Sequence, residues 1–558
     1  MDNEISSFKS YWKDISNYIL PRRSRFFTTD VNRGDRRNLD IIDPTASLAV
    51  RTLSSGMMTG VTSPARPWFK LAGSVTEGQQ ESADVKAFLK ATEDKMRSIF
   101  LRSNLYNVLP TIYGDVGAFG TAAMFMERDE ENVVNFSSFP IGAYRISCDR
   151  KGRVRVFLRE FTMTVRQIVE KFGRDKFNPN KINWENISTA VKEQYEKKQY
   201  EVKVEVVHIV KPNEEHNPER LQSKYKKFVS LYYEKGTGIN GSRESAVETF
   251  LSESGYDYFP VMAPRWEVAG EDTYGTNAPG MIALGDVKQL QLGEIRSATA
   301  IDQKVTPSMV GPLSLQNTKA SIIPGDITYV DERDGQRGFR RLFEIDFDLR
   351  ELEGKQEQIR QRLSRVFYED LFLMLANTNR RNITAREIDE RHEEKLLALG
   401  PVLERLNLDL LDPLIENTFM IMSEMGLLGE MPEELEDADY KIEYISIMAQ
   451  AQKLAGIGNI ERLVGFVGNA MQFDPTVGKK IDFEGAVDVY GDLVGAPPSL
   501  VRSKEQMEEI RAQEAEAAAA EQERMEMGEN VAAAKQLSET NIDENSALGD
   551  LLNTGEFV

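Results

Sequence analysis

Only one cysteine, Cys148, occurs in the chain, so no intrachain disulfide can form and nothing calls for an oxidising compartment. It sits in the strand-like YRISCD and reads as a small buried residue. Long apolar runs are missing too. No uncharged stretch approaches the ~18 residues that a bilayer crossing requires, and the N-terminal MDNEISSFKSYWKD is charged and amphipathic, without the apolar centre of a secretion signal. The expectation is a protein of a reducing, aqueous place with no membrane contact. Basic charge is scarce: 69 Lys and Arg stand against 89 Asp and Glu, a net −20. That excess of acid argues against a surface that wraps nucleic acid all round and confines any phosphate contact to local patches.

Constellations that carry chemistry are equally scarce. There is no G-x-x-x-x-G-K-[ST] phosphate loop, so the chain is not expected to hydrolyse ATP by itself. Gly236, Gly238 and Gly241 match the dinucleotide spacing but join two strand-like stretches, with no helix after them to offer its N-terminus to a pyrophosphate; a hairpin loop is the better reading. His208, His216 and His392 are scattered, and none has a second histidine or a cysteine at metal-ligand spacing. No catalytic residue, no metal and no cofactor is expected, and the protein is not read as an enzyme.

What the chain does have is length and 41% hydrophobic residues, enough to bury a large core in several structural units. The first 120 residues read as helices: one before Pro21, then about Thr45–Gly60, Asp84–Leu101 and one ending near Gly117. Between them lie PRRSRF and Arg33, Arg36 and Arg37, a basic loop that either pairs with carboxylates or meets phosphate. From Thr121 to about Tyr258 strands take over, in TAAMFME, RVRVFLREF, EVKVEVVHIV and KKFVSLYYE. One short helix interrupts them, with Thr164 and Gln167 as its capping box and Gly173 as its stop. The fold class is α+β, predominantly α-helical. Trp68, Phe69 and Trp266 are expected in the core.

A helix follows over about Pro279–Asp302, then a turn-rich segment with Pro324-Gly325-Asp326 and Asp334-Gly335. A second long helix is expected over about Asp346–Ala376, extending about 45 Å. It carries charge on nearly every face, so it needs neighbours to hold it, and copies of itself are the expected ones. Next comes NTNRRNITAREIDERHEEKLLALGP, residues 377–401, where two arginines sit among small polar residues before a helix capped by Thr384 and Glu387. Gly400-Pro401 should kink that helix, which runs to about Met425. A helical unit is expected over about Ser446–Leu500. From residue 501 on there are five basic and fourteen acidic residues, suiting an exposed helix, with disorder expected from about Thr540.

Taken together, SYWKDISNYILPRRSRF, IIDPTASLAVRTLSSGMMTGVTSPARPWFKL, YGDVGAFGTAAMFME, FPVMAPRWEVAGEDTYGTNAPGMIALGDVKQL, NITAREIDERHEEKLLALGPVLERLNLDLLDPLIENTF and IEYISIMAQAQKLAGI give the chain its likeness. Over about residues 5 to 510 it resembles the portal proteins, or head-to-tail connectors, of short-tailed tailed bacteriophages. The resemblance implies a homo-oligomeric ring, usually of twelve subunits, at one capsid vertex of the virion, assembled in the host cytoplasm, with duplex DNA passing non-specifically along its axis. It implies a wing over 1–278, a first stem helix over 279–303, a clip over 304–345 and a second stem helix over 346–376. A channel loop over 377–383, a kinked helix and wing return over 384–445, a crown over 446–500, a C-terminal helix over 501–539 and a tail over 540–558 complete the layout. The terminase large subunit, capsid and scaffolding proteins and tail adaptors are the implied partners.

In that setting Arg380 and Arg381 would touch phosphate, with Asn379 and Asn382 as neutral hydrogen-bond partners, or else the arginines would pair with carboxylates of the next subunit. Acidic channel walls would keep adhesion low while a few cations follow the backbone without reading bases. The clip holds six basic and five acidic residues, a near-neutral docking surface with Arg333, Arg337, Arg340 and Arg341. Two other readings stay open: a different ring or tail adaptor of a virion, and a metal-dependent DNA-processing enzyme.

Overall fold

The computed structural model describes residues 1–25, 39–73, 83–174, 181–220, 222–235, 250–306, 349–377 and 399–429. Shorter pieces lie at 309–310, 340–341, 431–432, 440–445 and 457–471, with a few isolated positions beyond. The chain divides into two compact units, Met1–Gln452 and Lys453–Val558.

In the first unit, α1 (Asp2–Tyr18) and α2 (Thr45–Val61) are followed by β1 (Phe69–Gly73), α3 (Ala83–Arg102) and α4 (Leu105–Phe119). Helix α2 buries Ala46, Ala49, Val50, Leu53, Met57 and Val61, the three- and four-residue spacing that puts one apolar stripe on a helix. It packs mainly on α4, whose C-terminal half is buried throughout. Gly120 ends α4 in the left-handed region at φ +79, its N–H donating to the Val116 carbonyl. A β-carbon there would lie 2.6 Å from the Gly275 carbonyl oxygen, so both the sign of φ and the close backbone approach require glycine. Trp12 of α1 donates its indole N–H to the Phe119 carbonyl at 2.9 Å and packs edge-on against Tyr274.

The strands then form two sheets. β2 (Ala123–Asp129) lies between β3 (Val133–Phe139) and the short β9 (Val261–Met262). β4 (Tyr144–Cys148), β5 (Val154–Thr164), β6 (Lys203–Pro212), β7 (Phe228–Glu234) and β8 (Ser252–Tyr256) make an antiparallel five-stranded sheet in chain order. Phe157, Val210 and Phe228 of this sheet join the main core. Met163, Val206 and Tyr232 instead pack under α5 (Val165–Phe172) and α6 (Thr189–Glu196) in a smaller cluster. The capping box of α5 forms as read, Thr164 Oγ1 accepting from Gln167 N–H and the Gln167 side chain accepting from Thr164 N–H. The expected single helix is in fact two. α6 begins at Ser188, which accepts from Val191 N–H while its own N–H donates to Glu234 at 3.1 Å; that long-range carboxylate has no local sequence signature.

Helix α7 (Pro279–Val305) follows, then β10 (Met309–Val310) paired antiparallel with β11 (Arg340–Arg341), α8 (Leu349–Val366) and α9 (Glu369–Asn377). The single long helix expected over Asp346–Ala376 is therefore broken between α8 and α9, where Tyr368 takes a φ of +56 that no regular helix accommodates. Residues 399–406 form α10, which passes through a π-turn at Asn407–Leu411 into α11 (Asp412–Glu424). β12 (Tyr440–Tyr444) returns to pair antiparallel with β1, Phe69 opposite Tyr444. In the second unit α12 (Ile457–Ala470) is the longest described helix; apart from helical Met507, Arg511 and Ala512, the expected C-terminal helix and tail lie outside the described residues.

Trp68, Phe69 and Trp266 are all buried, as expected. Cys148 is only half-buried and accepts a contact from Arg265 Nη1 at 3.3 Å, so it is less enclosed than the sequence suggested.

Candidate functional site

The first half of α7 and the later part of α8 are seated in the main core, fastened there by side chains from far along the chain. At the start of α7, Tyr11 Oη donates to the Met281 carbonyl at 2.5 Å and Lys288 reaches Asp14 at 2.7 Å. Val287 and Leu290 of α7 and Ile359 and Leu363 of α8 are buried in the same apolar cluster.

Asp43, just before α2, is the polar centre of this junction. One carboxylate oxygen accepts from Thr45 N–H at 2.8 Å and the other from Arg360 Nε at 2.9 Å. The Gln291 side chain closes the loop: its oxygen accepts from the N–H of Ile42 and Asp43, and its nitrogen donates to the Asp43 carbonyl. Burial would raise the Asp43 carboxyl, but the hydrogen bonds from Thr45 and Arg360 outweigh it and hold the group below the usual range. Arg360 also donates to Glu294 of α7 at 2.6 Å. Further along, Arg362 grips Asp286 through Nε and Nη2 at 3.1 and 2.8 Å, and Gln356 donates to Ser297 at 2.9 Å.

These contacts revise the expectation for α8. Two of its arginines, Arg360 and Arg362, find partners on α7 and before α2 of the same chain, so part of its support comes from within the subunit. Nor is the acidic excess found here: α7 carries three acidic and three basic residues, and α8 three acidic and five basic.

A second junction lies where α10 meets α11. Pro413 has no N–H, so the Asp409 carbonyl loses its regular helical donor, and the chain winds as a π-turn with Asp412 N–H bonded to the Asn407 carbonyl. Within the turn, Asp409 is held by Arg265, Nε to Oδ2 at 2.9 Å and Nη2 to Oδ1 at 3.1 Å. Arg265 is 1% exposed and also donates to the carbonyls of Gly152 and Thr273. The sequence placed the disturbance at Gly400-Pro401. The turn before Pro401 lies outside the described residues; among the described residues irregular winding falls at Asn407–Leu411.

Among the basic residues near the N-terminus, Arg23 forks onto buried Asp115 at 2.9 and 2.7 Å. Burial pushes the Asp115 carboxyl up to about 6 against the pull of Arg23. Arg33, Arg36 and Arg37 lie outside the described residues, as do Gly236–Gly241, Thr384, Glu387 and His392. The same holds for Asn379, Arg380, Arg381 and Asn382, and for Arg333 and Arg337; Arg340 and Arg341 form β11. His208 is fully buried, Nε2 bonded to Ser230, and His216 Nδ1 meets the Tyr225 carbonyl. No cluster of metal-ligating side chains occurs among the described residues. Asp43, Gln291 and Arg265 were not singled out from sequence. Asp43-Pro44-Thr45 before an apolar stripe is a start signal that could have flagged Asp43; nothing local marks the other two.

A sequence profile for bacteriophage head to tail connecting proteins matches residues 1–501. The chain is 43% identical over 554 residues to the portal protein of Salmonella phage epsilon15, covering 99% of this chain and 96% of the relative. It is 40% identical over 548 residues to the probable portal protein of Bordetella phage BPP-1, covering 98% and 95%.

Proposed function

This chain belongs to the bacteriophage head to tail connecting proteins, and from that premise we propose how its parts carry out the family's work. Its function is that of a portal at one capsid vertex of the virion: duplex DNA passes inward during packaging and outward during ejection, and the packaging motor and then the tail dock there. It acts as a structural channel and not as an enzyme.

The layout is our reading. Subunits form a closed ring, of twelve copies as is usual in the family. The helices over 279–303 and 346–376 act as the stem, the segment over 304–345 as the clip, 377–383 as the channel loop, and the helices from 446 on as crown and C-terminal extension. The wing comprises 1–278 together with the return over 384–445. Terminase large subunit, capsid and scaffolding proteins and tail adaptors are its partners, and assembly takes place in the host cytoplasm. The observation that supports this layout best is the α7–α8 pair, two helices tied into the core through Asp43 while the chain between them passes through the β10–β11 pair. Mass measurement and negative-stain imaging of the purified protein test it: a closed ring with a duplex-wide hole is expected, and a monomer or dimer at every concentration would overturn it.

Within the channel, Arg380 and Arg381 touch phosphate and Asn379 and Asn382 contribute neutral hydrogen bonds. Such contacts grip weakly and read no sequence, since each phosphate neutralised adds salt-dependent affinity that a moving duplex must break. Replacing both arginines by alanine should spare assembly while lowering packaging or genome retention; full heads from that variant would refute the contact. Arg333, Arg337, Arg340 and Arg341 are the docking surface of the clip, and charge reversal there should impair motor or tail attachment.

A further inference from the structure

We infer that Arg265 is a positioning residue for DNA translocation: its two-pronged hold on Asp409 keeps the helix π-wound and so fixes how α10 is turned relative to α11. The link to translocation rests on the channel-loop reading, because α10 continues the chain that leaves residues 377–383.

Proline alone does not dictate this winding. Pro413 removes one helical bond, and helices commonly answer that loss with a bend rather than with an inserted residue. What singles out the π-turn is a fixed partner for the Asp409 side chain. Arg265 cannot move to meet it, because the guanidinium is tied to the Gly152 and Thr273 carbonyls and to Cys148, and its backbone bridges Thr121. The carboxylate must therefore come to the arginine, and the helix takes up one extra residue to bring it there. Leu406, Leu410, Leu411 and Leu414 are completely buried on either side, so the offset is locked into the core.

Rewinding the turn to a regular α-helix would rotate α10 by about 100° and shift it by about 1.5 Å relative to α11. A cavity of about 160 Å³ adjoins the turn, lined in part by Leu408, Asp409, Asp412 and Glu416. The buried pair thus separates two discrete registers of one helix, a one-residue ratchet of the kind that converts a local change into a displaced element.

The test uses the full chain assembled in heads. In Arg265→Met/Asp409→Leu both charges go together, which avoids stranding one of them in the core. Imaging at side-chain resolution should show Asp412 N–H bonded to the Leu408 carbonyl and α10 turned by one residue's rotation. Packaged genomes should fall tenfold or more at matched ring yield. Arg265→Lys keeps the charge without the fork and should recover part of that loss. A map of the double variant that keeps the π-turn overturns the inference. If the double variant does not assemble, Arg265→Lys carries the test, and an unchanged register with unchanged packaging overturns it. A shifted register with full packaging overturns the positioning role. In that case, loss of packaging in Arg380→Ala/Arg381→Ala would show the channel-loop reading still standing, and full packaging there would place the failure in that reading.

Discussion

Removing the Arg360 side chain would leave Asp43 buried with one carboxylate oxygen short of its guanidinium partner. A buried acceptor left unsatisfied costs roughly 1–3 kcal/mol. Arg360 is one-third exposed, so water replaces part of the loss and Arg360→Ala should fall in the lower half of that range by chemical denaturation. Because the Asp43 carboxyl is held below its usual range, its contribution is present above the unfolded value and is lost only as pH falls below about 4. His208 acts in the same direction, but in a higher pH window. Burial, with Arg159 and Lys171 nearby, pushes its imidazole well below the ordinary value, so the folded protein resists a proton that the unfolded chain accepts. Stability should then fall by up to about 1.4 kcal/mol per pH unit below about 6.5. Thermal melts at pH 7.5 and 5.0 would show it, and His208→Gln should flatten the slope. From sequence, His208 reads only as a satisfied or solvated histidine in an alternating strand; its stacking on Tyr232 at 3.9 Å depends on a cross-strand register that no single segment encodes.

Helix α2 approaches α9 so closely that a β-carbon on Gly56 would lie 2.1 Å from the Phe372 ring. Gly56→Ala should therefore destabilise by about 1–3 kcal/mol through overpacking. In a Phe372→Ala background the same change should cost less than half as much, a non-additivity that a double-mutant cycle measures. Most helices and strands were legible because each carries its own periodicity or cap: the stripe of α2, the Thr164 box of α5, the alternation of β6. Breaks were not. The end of α8 at Val366 falls in RVFYED, which holds no glycine or proline, and Tyr368 assumes its positive φ beside Trp266, a partner about a hundred residues away. The π-turn needs Arg265 as well as Pro413, and only Pro413 is local.

At the scale of the molecule, the expectation that the long charged helix depends wholly on sister copies gives way to mutual support by α7 and α8. Closure of the proposed ring should still add to stability, since Leu292, Ile295, Ile301 and Val305 of α7 are substantially exposed in the single chain. The thermal midpoint is therefore predicted to rise with protein concentration, as linkage to assembly demands; a midpoint independent of concentration across a hundredfold range would argue against it. The proposed channel and docking arginines were legible only as candidates, because their roles belong to an assembly and to DNA rather than to the folded subunit.

The pairing of β1 with β12 has a bearing on biosynthesis. Phe69 meets Tyr444 and the Ile445 N–H closes on the Trp68 carbonyl, so two segments about 370 residues apart must both have left the ribosome before either is covered. At about 5–20 residues per second that interval is roughly 20–75 s. Throughout it the nascent polypeptide presents a bare strand edge, and chaperone capture of the emerging chain would be most needed then.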